Sequence, residues 1–175
     1  MPYLRGLAAG GSLAYNNTTE NSDFDVLTIA RAGRLYTCRG FLSFAASLLR
    51  ARRKRFERSA PDKFCFNHYI TDGNLNIKHE SLYNAQSYSN LKPVLISDEL
   101  FRKFCGANIW LNKYVYNFRP AKEFVLKTIS PSPILAAFAE SAEAVLNSFL
   151  GNWLETVLKY FQQKRIKNNP ATYES

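Results

Sequence analysis

Two short runs near the N-terminus carry residue types suited to chemistry. The first is Gly10-Gly11-Ser12; after a ten-residue gap comes Asp23-Phe24-Asp25. Side chains at i and i+2 of a strand share a face, so Asp23 and Asp25 at a strand start present two carboxylates to one divalent cation. Hard oxygen ligands with open positions suit Mg²⁺, or Mn²⁺, bound jointly with a nucleoside triphosphate. A glycine turn lets a phosphate approach the backbone closely. Ser12 adds a hydroxyl, and a helix beginning there adds N–H donors. Phosphoryl and nucleotidyl transfer need little beyond positioning and charge neutralisation, so these parts suffice for most of the catalysis. Singly, each run has a bland reading: an Asp-x-Asp pair is often loop-end solvation, and Gly-Gly-Ser is a common turn. Their order along the chain makes the combination more specific than either part.

The elements that must position these residues follow from local pattern. Leu4 to Ala9 reads as a short buried strand ending at the glycines. Ser12 to Asn17 begins a helix, Asn16 to Ser22 is a polar loop, and Phe24 to Ala30 is a second strand rich in Val, Leu, Ile and Thr. Gly33 opens a long helix in which Leu35, Cys38, Leu42, Ala45, Leu48 and Leu49 recur near 3.6-residue spacing. That helix is expected to run on into Arg50, Arg52, Arg53, Lys54 and Arg55, where basic residues complement the macrodipole. Ser59-Ala60-Pro61-Asp62 breaks it, and Phe64 to Ile70 is a third strand. Beyond residue 76 helical patterns dominate and no further strand is expected. Ser132-Pro133 starts a helix from which Leu135, Phe138, Val145, Phe149, Trp153, Val157 and Tyr160 line one long apolar face. The fold class is therefore α/β (α+β): a mixed three- or four-stranded sheet within residues 1–76, then a helical region over 77–175.

Composition narrows the function classes. The chain of 175 residues is 46% hydrophobic and 21% charged, which argues against disorder and for a sizeable core. Its net charge of +9 predicts contact with polyanions: nucleic acid, nucleotide phosphates or an anionic membrane surface. Residues 31–63 hold ten basic and two acidic side chains, so +8 of the +9 sits in one segment. Arg50, Arg52, Arg53, Lys54 and Arg55 are its candidate nucleic-acid contacts; a solvated helix end is the plainer alternative. Cys38, Cys65 and Cys105 are widely spaced and no CxxC occurs, which indicates neither a zinc site nor a disulfide framework. Reduced thiols and the lack of a signal-peptide pattern read as cytoplasmic. The longest apolar stretch, Ile134 to Leu150, is interrupted by Glu140, Glu143 and Asn147, so a buried or amphipathic helix is expected there and no transmembrane segment.

The stretch GGSLAYNNTTENSDFDVLTI resembles the signature of the nucleotidyltransferase superfamily with the DNA polymerase beta fold. Within it, the chain resembles a bacterial group of nucleotidyltransferase-domain proteins. The further matching pieces are Gly33-Arg34-Leu35, Phe66-Asn67 and Asn90-Leu91-Lys92-Pro93. The resemblance implies that Gly11 and Ser12 hold the triphosphate and that Asp23 and Asp25 bind Mg²⁺. It further implies transfer of a nucleoside monophosphate from a triphosphate such as ATP to an acceptor, often a hydroxyl. The family usually places a helix before the first strand; this chain begins almost at that strand, which reads as a truncated start. Active members also carry a third carboxylate on the strand after the long helix.

Here that strand is FCFNHYI, and strict alternation puts Cys65, Asn67 and Tyr69 on one face and Phe66 and His68 on the other. Asn67 then takes the third position, with Asp72 as a substitute from the following turn. Arg34 and Arg39 either reach phosphates or are ordinary solvated helix arginines. His68 reads as a packed core histidine and His79 as a surface one. Trp110, Tyr114, Tyr116 and Phe118, interleaved with Lys113 and Arg119, read as core packing ahead of base stacking. Besides the enzyme, the alternative is a non-catalytic module of the same fold, binding nucleic acid or a protein through residues 31–63. A membrane-surface role for the basic helix ranks third, because packing on the sheet better explains its apolar face.

Overall fold

A computed structural model describes residues 1–15, 17–20, 22–53, 61–116, 118 and 132–168, with the side chains of Asn67 and Ile166 left out. Four strands, β1 (Leu4–Ala9), β2 (Phe24–Ala30), β3 (Phe64–Thr71) and β4 (Lys92–Ile96), form one mixed sheet in the order β3-β2-β1-β4. The three strands expected from sequence are adjacent in it. β2 runs antiparallel to β1 and parallel to β3, and β4 runs antiparallel to β1. The expectation of no strand beyond residue 76 is corrected by β4. Its KPVLI run is short and has a proline as its second residue, which removes one ladder donor; an edge position tolerates this.

Helices cover both faces. On one face Leu27 and Ala8 pack with α3 (Leu82–Ser89), α4 (Asp98–Ala107) and Leu111 of a 3-10 turn. The described aromatics Trp110, Tyr114 and Phe118 pack against this cluster, as the core-packing reading expects, while Tyr116 is exposed. On the other face Tyr3, Ala30 and Phe66 pack with Cys38 and Leu42 of α2 (Leu35–Leu48) and with Leu146 at the end of α5 (Pro133–Leu146). α6 (Phe149–Lys167) lies against α2, where Leu158 approaches Gly40.

α2 ends earlier than its sequence pattern suggests. Arg50 adopts φ +55, the left-handed region that terminates helices, so the basic run follows the helix instead of completing it. The chain then extends along the start of β3: Phe64 N–H donates to Ala51 O (2.7 Å) and Arg53 N–H to Phe64 O (3.1 Å). Lys54 and Arg55 lie outside the described residues.

The start of α2 has no capping side chain of its own. Glu155 of α6 supplies one: its carboxylate accepts from Tyr36 N–H (2.9 Å), Thr37 N–H (2.7 Å) and the Thr37 hydroxyl (2.6 Å). An anion on the first-turn N–H groups also complements the helix dipole. Glu155→Ala is expected to weaken this turn by about 1–2 kcal/mol, the usual worth of a cap, which is roughly 5–30-fold in local opening. Hydrogen exchange at the Tyr36 and Thr37 amides reads this out; unchanged rates would show that the cap is dispensable.

Candidate metal and nucleotide site

The antiparallel and parallel pairings bring the C-terminal end of β1 and the N-terminal ends of β2, β3 and β4 to one edge of the sheet. At that edge Gly10 N–H donates to Asp25 O (2.8 Å), which ties the glycine turn to the start of β2. Gly11 opens α1 (Gly11–Ala14) with φ +55, and a Cβ there would collide with Asp25 Oδ2. Glycine is therefore required twice over, by backbone conformation and by space. The Asp25 carboxylate rests directly against the Gly11 backbone. Ser12 follows in the same turn, partly exposed.

Asp23, Asp25 and Cys65 form one cluster, with a ligand atom of each within 4.8 Å of the others. Asp23 also pairs with Arg53, Nη1 to Oδ2 at 2.7 Å. Burial first, and then the Asp23 charge, hold the Asp25 carboxyl above its ordinary range; the Cys65 thiol, His68 and Arg53 offset part of this. Burial and the two carboxylates push the Cys65 thiol up to about 11, so at neutral pH it is an S–H group and not a thiolate.

The donor chemistry fits a hard divalent cation held by two carboxylates, with its remaining positions left for water and phosphate oxygens. The protonated thiol is a poor ligand for such an ion and acts here as a hydrogen-bond partner of the carboxylates. Two carboxylates crowded together with one arginine also leave negative charge that a cation would offset.

Strict alternation along β3 fails, and the bulge explains why. Asp25 pairs with Cys65 and Leu27 with His68, so three steps of β3 oppose two of β2. One extra residue flips every later side chain to the other face. Phe66 and Tyr69 thus pack in the same cluster, while Cys65 and His68 share the face of Asp25 and Leu27. The third position beside the two aspartates belongs to Cys65. The side chain of Asn67, the residue expected there, lies outside the described set.

Asp72 is not a substitute. Its Oδ1 accepts from Ala32 N–H (2.7 Å) at the far end of the sheet, about 23 Å along the chain from Cys65 at ~3.3 Å per residue. Arg34 is not brought to the cluster either. It follows the C-terminal end of β2, donates to Asn152 Oδ1 (2.6 Å) and lies over the Tyr3 ring. Arg39 lies over Tyr69, on the opposite face of the sheet from Asp25.

His68 is exposed instead of core-packed, and its Nδ1 meets the Tyr88 hydroxyl at 2.9 Å. Lys92 stands in register with Ala9, one residue before the glycine turn, and adds a cation to this edge. A cross-strand pairing is the only signal for Cys65 and Lys92, and it is not contained in local spacing. Among the described residues no third carboxylate joins the cluster. Comparison with protein-family models, with curated proteins and with solved structures gives no match to this chain.

Proposed function

We propose that this chain is a divalent-cation-dependent nucleotidyltransferase, which passes a nucleoside monophosphate from a triphosphate such as ATP to an acceptor hydroxyl. The observation that carries the reading is the Asp25 carboxylate packed on the Gly11 backbone with Asp23 beside it. In this arrangement a cation on the two carboxylates and a phosphate on the glycine turn would be immediate neighbours. Asp23 and Asp25 would hold Mg²⁺ or Mn²⁺, which supplies charge neutralisation on the triphosphate. Arg53 pairs with Asp23 and fixes it in place. Gly10 and Gly11 leave the backbone open to phosphate oxygens, and Ser12 adds a hydroxyl. The acceptor oxygen bonds to the α-phosphorus as the bond to the bridging oxygen breaks; pyrophosphate leaves and the hydroxyl proton passes to solvent.

One observation favours a second reading, a non-catalytic module of the same architecture that binds a polyanion through residues 31–63. Cys65 stands where a third carboxylate would serve as ligand or base, and a thiol pushed up to about 11 does neither at neutral pH. Incubating the chain with labelled nucleoside triphosphates, Mg²⁺ or Mn²⁺ and a cell lysate separates the two readings. A labelled acceptor that depends on the cation is expected for the transferase. Cation-dependent nucleotide binding without any labelled product would select the module.

A further inference from the structure

The C-terminal helices are amphipathic in the inverted sense. α5 turns its polar side chains inward: Glu143 accepts from Tyr3 N–H (2.6 Å) and pairs through both oxygens with Arg5 (3.0 and 2.8 Å), and Asn147 accepts from Arg31 (3.1 Å). α6 does the same, with Asn152 on Arg34, Glu155 on the α2 start and Gln162 on Tyr36 O. Of the residues expected to line one long apolar face, Leu135, Phe138, Val145, Phe149, Trp153 and Tyr160 are exposed and Val157 is half-buried. Ile134, Phe138 and Val145 share a stripe of α5, and Phe149, Trp153 and Tyr160 share a stripe of α6 at helical spacing. Phe138 is 71%, Phe149 81% and Trp153 60% exposed. Soluble helices bury the apolar stripe and solvate the polar one, so a surface built the other way round marks a contact.

Charge identifies its partner. Along α6 the outward stripe continues from Tyr160 into Lys164 and Lys167, and the Lys164 ammonium lies over the Tyr160 ring. The only carboxylate on α6, Glu155, faces inward, as does Glu143, and Glu140 falls off the outward stripe of α5. Among the described residues, the outward stripes of α5 and α6 therefore carry no acid, and that of α6 ends in cations. An anionic lipid surface offers apolar depth and negative headgroups together, and Trp and Tyr favour that boundary. No single helix among the described residues is long and apolar enough to cross a membrane. α5 and α6 reach that length and apolarity only together, bent by 93°, and their inward hydrogen bonds hold both against the protein body.

We propose that α5 and α6 form a peripheral docking surface for an anionic lipid bilayer, with Phe149, Trp153 and Tyr160 entering the interface and Lys164 and Lys167 meeting the headgroups. This is independent of the nucleotide site at the opposite ends of β2 and β3. The test is co-sedimentation of the full chain with phosphatidylcholine vesicles, with and without phosphatidylserine. Binding is expected with phosphatidylserine only, with a blue shift of tryptophan fluorescence that the Trp153→Phe variant lacks. Lys164→Gln with Lys167→Gln should weaken partitioning about 30-fold, at about 1 kcal/mol per lysine. Phe149→Ser with Trp153→Ser should abolish it while leaving the circular dichroism and melting temperature unchanged, since both side chains are exposed. Three outcomes would overturn the proposal: wild-type protein staying in the supernatant at low salt, serine variants binding like wild type, or a dimer that the serine variants dissociate.

Discussion

Asp25→Asn is expected to abolish cation-dependent nucleotide binding and, at neutral pH, to make the folded chain more stable. The loss should be large, about 10²–10³-fold in transfer, the scale seen when one preorganised electrostatic partner is removed. The gain in stability comes from the other side of the same geometry. Burial and Asp23 hold the Asp25 carboxyl above its ordinary range in the folded chain. A raised carboxyl binds its proton more tightly when folded, so its contribution is fully present below the ordinary carboxylate range. That contribution is lost as pH rises through the folded value. At neutral pH the ionised group therefore weakens the fold, and an amide of the same shape relieves it. Calorimetry with Mg²⁺ and nucleotide reads the first effect. Thermal unfolding at neutral and mildly acid pH reads the second, with the advantage of the variant shrinking as pH falls. Unchanged nucleotide binding together with a lower melting temperature would mean that Asp25 is a structural group, and the site reading would fall.

Asn108→Leu is expected to lower the melting temperature by roughly 6–12 °C, from a loss of about 3 kcal/mol at ~2–4 °C per kcal/mol for a chain of this size. Asn108 is fully buried. Its Oδ1 accepts from Ile77 N–H (2.8 Å) and from Trp110 Nε1 (3.1 Å), and its Nδ2 donates to Leu75 O and Phe104 O (2.8 Å each). The residue thus fastens the chain after β3 to the end of α4. Leucine has the same branched shape but leaves two donors and two carbonyls without that partner in the core, and stranded buried groups cost more than a made bond contributes. Thermal unfolding checks this directly, and a drop of less than about 2 °C would show that the surrounding groups find other partners.

These two residues differ in how much of their role can be read along the chain. Asp23 and Asp25 owe their common face to a two-residue period, and the glycine turn owes its place to the end of a short apolar run. Both depend on neighbours in sequence, so the aspartates, Gly11, the first three strands and the mixed sheet are legible without coordinates. The same holds for the Pro133 helix start. Local period also misleads where pairing intervenes. Alternation along FCFNHYI points to Asn67, but the pairing of β3 with β2 sets Cys65 beside the aspartates, and the bulge that follows moves the later residues by one and puts His68 on their face. Asp72 and Arg34 look near the site only along the chain; the strands carry them to the far end of the sheet. The carboxylate that caps α2 comes from Glu155 on α6, far along the chain from the Tyr36 and Thr37 amides it accepts from. In α5 and α6 an apolar periodicity says only that one stripe differs from the other. Which stripe faces inward was decided by Arg5, Arg34 and the open α2 start, whose hydrogen-bonding groups needed partners and drew the polar sides of both helices toward the core.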